Sequence, residues 1–153
     1  MMNMLKPFRP KTLYDNYIRL LDTKPFTTKS ITCAALYGLG DIFCQGIEYA
    51  FDSTKEFKFS RTRSVMVYGL LIEGPFLHVS YTYWLPRWVK GHDNIAALKK
   101  MLICETFFTL YQAISYYFCI PLFEGGTVDD SIAELREKLW ETLKMNWTVW
   151  PLL

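Results

Sequence analysis

Three stretches of this chain are almost empty of charge, and each is long enough to limit the folds available. Residues 31–51 ionise only at Asp41 and Glu48, 65–85 only at Glu73 (with His78 nearby), and 101–123 only at Glu105. Each stretch matches the roughly 20 residues that a helix needs to cross the hydrocarbon core of a bilayer. Together they fill 65 of the 153 residues yet hold 4 of the 32 charges, which comprise 17 basic and 15 acidic side chains. A soluble helical protein can bury one helix this apolar, but three in so short a chain leave little polar surface. Tyr81, Tyr83, Trp84 and Trp88 close the second stretch, and Tyr116 and Tyr117 lie near the end of the third. Such crowding suits an aromatic belt at a headgroup boundary. The expected fold is therefore all-α: a single membrane-embedded domain over 1–153, with about three spanning helices at 31–51, 65–85 and 101–123. The lipid bilayer is its first expected partner.

Composition closes off other classes. A net charge of +2 is too balanced for a protein that reads phosphates, so nucleic acid is excluded as a partner. With 11 Phe, 10 Tyr and 5 Trp, the chain is far too aromatic to be disordered. Residues 1–30 carry six basic residues against Asp15 and Asp22. Within them Tyr14, Tyr17, Ile18 and Leu21 share one helical face, which predicts an amphipathic interfacial helix near 14–22 that Pro25 interrupts. After the third stretch, Gly125 and Gly126 predict a helix stop, and Thr127 with Asp130 a helix start. Ile132, Leu135, Leu139 and Leu143 then line one face of a second interfacial helix, near 131–145. With three crossings, ten basic residues fall on the N-terminal side and seven on the other. The positive-inside rule then turns the N-terminus toward the matrix or cytosol.

Chemistry is sparse. Cys33, Cys44, Cys104 and Cys119 all lie within the charge-poor stretches, none in a Cys-x-x-Cys pair. With only two histidines, no zinc framework is expected, and the cysteines read as small buried apolar residues. Gly38-Leu-Gly40 lacks the third glycine of a dinucleotide loop, since Phe43 stands there. Neither a nucleophile elbow nor a phosphate cradle occurs. No enzyme, cofactor or metal is expected.

The candidate site is the set of polar residues at membrane depth. A charge at the centre of a spanning helix costs roughly 2.5–3.5 kcal/mol on insertion scales, so it turns toward protein or water. Asp41 and Gln45, four apart, share a face. Glu73 and His78 flank Gly74-Pro75, where the proline should kink or loosen the helix. Glu105 and Gln112, seven apart, lie close to two full turns and should also share a face. These six residues could line a water-filled path, or they could hydrogen-bond between helices and lock the packing. The locking role is slightly favoured. Ala34 and Gly38 form a small-xxx-small pair that marks a close helix contact.

The motifs also carry a family resemblance. Tyr14, Tyr17, Leu21 and Pro25 lead into Gly38-Leu-Gly40-Asp41-Ile-Phe-Cys-Gln45. Arg61 and Gly69 precede Gly74-Pro75-Phe-Leu-His78-Val-Ser-Tyr81, and Ala97-Leu-Lys-Lys-Met-Leu102 follows. Asn146-Trp147-Thr-Val-Trp150-Pro151 comes last. This order resembles the Mpv17/PMP22 family of peroxisomal and mitochondrial inner-membrane proteins, from about Tyr14 to Pro151. Two departures stand out: Ser80 replaces a family tryptophan, and Cys104-Glu105 replaces an Asp-Gln pair. In the family, Trp-Pro opens a final crossing helix. Here the sequence stops at Leu153, so that helix is expected to be missing or truncated.

The resemblance implies a four-helix membrane protein with a proposed channel-like role for small solutes or metabolites. Two functions are therefore carried forward. One is a structural or accessory subunit packed within a larger inner-membrane complex. This is preferred, because a bundle lacking one wall needs partners for its polar faces. The other is a channel lined by Asp41, Gln45, Glu73, His78 and Glu105. The mitochondrial inner membrane is the expected location, with the peroxisomal membrane as the alternative.

Overall fold

The structure is a computed structural model that describes residues 10–149, apart from 53 and 55. It is all-α, with no strand among the described residues. Five helical runs follow one another: α1 (Pro10–Thr23), α2 (Pro25–Phe51), α3 (59–88), α4 (94–123) and α5 (Val128–Val149). Trp150 and Pro151, the end of the last family motif, lie outside the described residues.

The helices are longer than the charge-poor stretches within them. Pro25 occupies the first turn of α2, where its missing N–H has no intrahelical partner to lose. It thus starts α2 rather than merely interrupting α1. Both α3 and α4 are composite. In α3, π turns at Gly69–Glu73 and Ser80–Trp84 join three α segments; in α4, one at Cys104–Phe108 joins two. The first π turn ends in a bond from the Gly74 N–H to the Gly69 carbonyl, directly before Pro75. A wider turn there accommodates a proline ring that would otherwise press on the preceding turn. Among the described residues no single uninterrupted helix is long and apolar enough to cross a membrane. The stretches at 65–85 and 101–123 are divided by π turns, and α2 includes Lys29, Asp41 and Glu48.

Helix α2 meets α3 through small residues. A Cβ added to Gly74 would sit 2.5 Å from Ser30 Cα, and one on Gly69 would sit 3.1 Å from Ala34 Cα. Ser30, Ala34 and Gly38, spaced by four, thus form the seam that the small-xxx-small pair predicts. Val65, Tyr68 and Ile120 make the apolar core between α3 and α4, with Tyr37 of α2 packed against it. Tyr68 meets Tyr116 edge to face at 5.4 Å between ring centroids.

The turn between α4 and α5 forms as its residues require. Gly125 takes φ +92°, a conformation that side chains with a Cβ rarely adopt. Gly126 N–H then donates to the Pro121 carbonyl at 2.9 Å, closing the helix end. Thr127 and Asp130 form a reciprocal cap: Thr127 N–H donates to Asp130 Oδ2 at 2.8 Å, and Asp130 N–H donates back to Thr127 Oγ1 at 3.3 Å. Those two Thr127 donors, backbone N–H first and hydroxyl second, hold the Asp130 carboxyl below the ordinary range. The cap is therefore expected to be whole above the unfolded-state pKa of aspartate and lost as pH falls through the lower folded value. Thr127→Ala is expected to cost about 1 kcal/mol, read as a lower thermal midpoint in detergent. A midpoint that does not move would show that the cap does not hold α5.

Helix α5 packs antiparallel along α4. Thr142 Oγ1 lies 2.6 Å from the Tyr117 hydroxyl, and Trp147 Nε1 donates to the Glu105 carbonyl at 2.7 Å. Leu143 is buried at this seam, while Glu134 and Lys138 pair on the outer face. The cysteines differ from expectation: Cys33 is buried, Cys104 and Cys119 are half-buried, and Cys44 is exposed. Position along an apolar stretch does not say which side of the helix a residue takes.

Burial is inverted relative to a water-soluble domain. Thr28, Ser30, Asp41, Gln45, Thr62, Ser64, Glu73, His78, Ser80 and Ser131 are buried. By contrast Phe43 is 69% exposed, and Leu36 and Leu39 are each 64% exposed. Polar groups face inward and large apolar ones outward along α2.

Candidate functional site

The polar residues expected at membrane depth divide into two bonded clusters and two groups left over. The first cluster locks α2 to the start of α3. Asp41 Oδ1 accepts from Arg61 Nε at 2.7 Å, while Asp41 Oδ2 accepts from Thr62 Oγ1 and Gln45 Nε2, each at 2.7 Å. Gln45 Oε1 accepts from the Lys58 backbone N–H at 2.7 Å, satisfying a donor at the N-terminus of α3. Its amide nitrogen also reaches Thr62 Oγ1 at 3.0 Å. One turn further along α2, Glu48 accepts from the Nη groups at the other edge of the Arg61 guanidinium, the shortest at 3.1 Å. The Asp41–Gln45 pair thus faces α3, and its chemistry is that of a staple.

The second cluster joins α3 to α4. Glu73 is fully buried. Tyr68 OH donates to Glu73 Oε2 at 3.1 Å, and Gln112 Nε2 donates to Glu73 Oε1. The Tyr68 hydroxyl also lies 2.8 Å from Ser115 Oγ. Tyr68 and Glu73 are five apart, and in a regular α-helix that spacing turns side chains well away from each other. The π turn between them inserts the extra residue that brings them together.

Glu105 and Gln112 do not act as a pair. Gln112 bonds to Glu73, whereas Glu105 Oε2 is buried with no hydrogen-bond partner. The π turn at Cys104–Phe108 breaks the α register between them, so the seven-residue spacing fails as a guide. Glu73 and His78 are likewise separated. His78 packs edge-on against Phe26 and Tyr83, with ring centroids 5.6 and 6.0 Å away, and its Nδ1 is buried without a partner. His78 instead lines a cavity of about 440 Å³ together with Tyr17, Lys29, Leu36, Tyr37 and Tyr81.

The motif residues have distinct placements. Gly74 and Gly38 are at the α2–α3 seam, whereas Gly40 is exposed with open space around it. Pro75 follows the first π turn, Tyr81 lies edge-on to Phe108, and Trp147 anchors α5 on α4. Thr62, Tyr68 and Ser115 are essential to the clusters but were not foreseen. Thr62 could have been found beside Arg61, facing the Asp-Gln pair across the loop; Tyr68 was hidden by its five-residue separation from Glu73.

The chain has clear relatives. The profile of the Mpv17 / PMP22 family matches residues 121–153. PXMP2/4 family protein 2 of Dictyostelium discoideum is 32% identical over 148 residues, covering 92% of this chain and 74% of the relative. Peroxisomal membrane protein 2 of Bos taurus is 26% identical, with 92% and 73% of the two chains covered. Mitochondrial inner membrane protein Mpv17 of Danio rerio is 27% identical, with 91% and 77% covered. No solved structure matches the chain significantly.

Proposed function

The chain belongs to the Mpv17/PMP22 family of membrane proteins, and from that premise we propose that it is a non-enzymatic structural subunit packed within a larger complex of the mitochondrial inner membrane. The family is known from both peroxisomes and that membrane, and the basic N-terminal segment favours the mitochondrion. In this reading α2, α3 and α4 cross the bilayer together: α3 and α4 continue through their π turns, and the acids of α2 are met by Arg61. The 27 residues of α2 rise about 40 Å, more than the roughly 30 Å of a hydrocarbon core.

One observation carries the proposal. The residues best suited to line a water path are instead engaged in bonds between helices, Asp41 and Gln45 with α3 and Glu73 with Gln112 of α4. A membrane-buried polar group needs such partners, because lipid offers none. The broad apolar outer face, including Leu36, Leu39 and Phe43, suits lipid or other membrane helices. A channel for small solutes is the second reading. It draws on the groups left over, the unpartnered Glu105 Oε2 and His78 Nδ1.

A native gel of gently solubilised mitochondria, with mass spectrometry of the band, separates the two. The subunit reading expects a large band of constant stoichiometry. A small monodisperse band, together with conductance in planar bilayers that Glu73→Gln alters, would overturn it in favour of the channel. A peroxisomal fractionation pattern would move the assignment to the other membrane.

A further inference from the structure

The cavity beside His78 is lined by both basic and apolar residues. Lys29 near the start of α2, His78 of α3 and Tyr17 of α1 are among its lining residues. Leu36 and Tyr37 also line it. Lys29 makes no ion pair among the described residues, and no Asp or Glu lines the cavity. His78 is about nine-tenths buried, and its Nδ1 makes no hydrogen bond among the described residues. A buried polar group without a partner is costly, so an imidazole in this position is poised for a ligand. The volume of about 440 Å³ lies within the range of small-molecule sites, and its mainly apolar walls suit a hydrocarbon body.

We propose that this cavity binds a single-chain amphiphile with an acidic head, such as a fatty acid. The head is held by Lys29 and His78, and the chain lies along α2 toward Tyr37. Two features fix that class. An unpaired cation and an imidazole with an unpartnered nitrogen in one lining, with no carboxylate there, select an anion. The seam where Ser30 and Ala34 press on Gly74 and Gly69 closes the space between α2 and α3, so the site lies against their packed backbones. Lys29 to Tyr37 spans about two turns of α2, or roughly 12 Å, which separates head from chain.

The test is photolabelling of the purified full-length chain in a neutral detergent with a diazirine-bearing palmitate, at mildly alkaline pH. Saturable label is expected on peptides from 29–37 and 74–81. Lys29→Gln and His78→Leu should each raise the half-saturating concentration about ten-fold, the size expected for losing one charge-assisted hydrogen bond. Lys29→Arg should retain binding. Leu36→Trp, at an exposed wall position, should block the path of the chain without touching the head site. Far-ultraviolet circular dichroism checks that each variant keeps its helices.

Label spread evenly over the outer faces of α2 and α3, or unchanged in Lys29→Gln, would overturn the site. Hexadecanol competing as well as palmitate would show that the head is not recognised. Phosphatidylglycerol competing as well as palmitate would replace the single-chain acid with a bilayer lipid. This readout uses the isolated chain, so its failure is distinct from failure of the subunit reading.

Discussion

Gly74→Val is expected to prevent the chain from accumulating as a folded species, the largest effect of any single substitution considered. The Cβ alone would sit 2.5 Å from Ser30 Cα and 2.9 Å from the Gly69 carbonyl oxygen. Both contacts are backbone, so no side-chain rotation relieves them. Either α2 moves off α3, or the bond from Gly74 N–H to Gly69 O is lost. Separating the helices would also pull apart the Asp41–Arg61 staple and the seam around Ala34. Overpacking of a tight contact costs typically 1–3 kcal/mol, and a branched side chain against backbone should reach about 3 kcal/mol or more. Ser30→Gly should rescue little, because the closest atom is the Ser30 Cα rather than its side chain. Gly40→Ala is the control from the same family motif. Nothing lies within 4 Å of its added Cβ, and the substitution should be neutral or stabilising by up to about 1 kcal/mol. Thermal unfolding in detergent and steady-state abundance read both. Equal behaviour of the two variants would show that the α2–α3 seam is not as tight as described.

Arg61→Ala is expected to cost about 3 kcal/mol, because it leaves a buried carboxylate without its counter-charge. The Asp41 side chain is only 5% exposed, while that of Arg61 is 32% exposed. This places the cost at the low end of the range for breaking a buried pair. Thr62 and Gln45 would still donate to Asp41, but neither supplies a charge. Arg61→Lys should recover only part of the loss. An ammonium is a point charge and cannot bridge Asp41 and Glu48 as the guanidinium fork does. Pairing Arg61→Ala with Asp41→Asn should cost clearly less than the sum of the two, since the second change removes the stranded charge. Additive losses would mean that the two residues do not act as a pair. If Asp41 lines a pore instead, Asp41→Asn should change conductance with little effect on stability.

The sequence made much of the helical framework legible. The charge-poor stretches were located correctly within helices, and the Gly125–Gly126 stop and Thr127–Asp130 start match the observed turn. These features depend on local chemistry: apolar content, a glycine's access to positive φ, and a hydroxyl within reach of a free N–H. The Ala34–Gly38 spacing likewise marked a close-contact side of α2, because four-residue periodicity is a property of the helix itself; that α3 is what it meets comes from the structure.

Pairing across helices was only half legible. Asp41 and Gln45 were expected on one face of α2, and they are, but nothing local identified Arg61, Thr62 and the Lys58 N–H as what that face meets. Glu105 and Gln112 were grouped by counting regular turns, and the structure separates them: Gln112 bonds to Glu73, while Glu105 Oε2 has no partner. The physical reason is the π turn. One extra residue in a turn rotates everything after it relative to everything before, and such a turn forms where packing against neighbouring helices stabilises it. From the sequence alone come the presence of the helices, the turn between α4 and α5, and the small-residue contact on α2, because these follow from interactions within a few residues. Only the tertiary structure decides which buried polar groups find partners, because that depends on helix rotation set by contacts between segments distant in the chain.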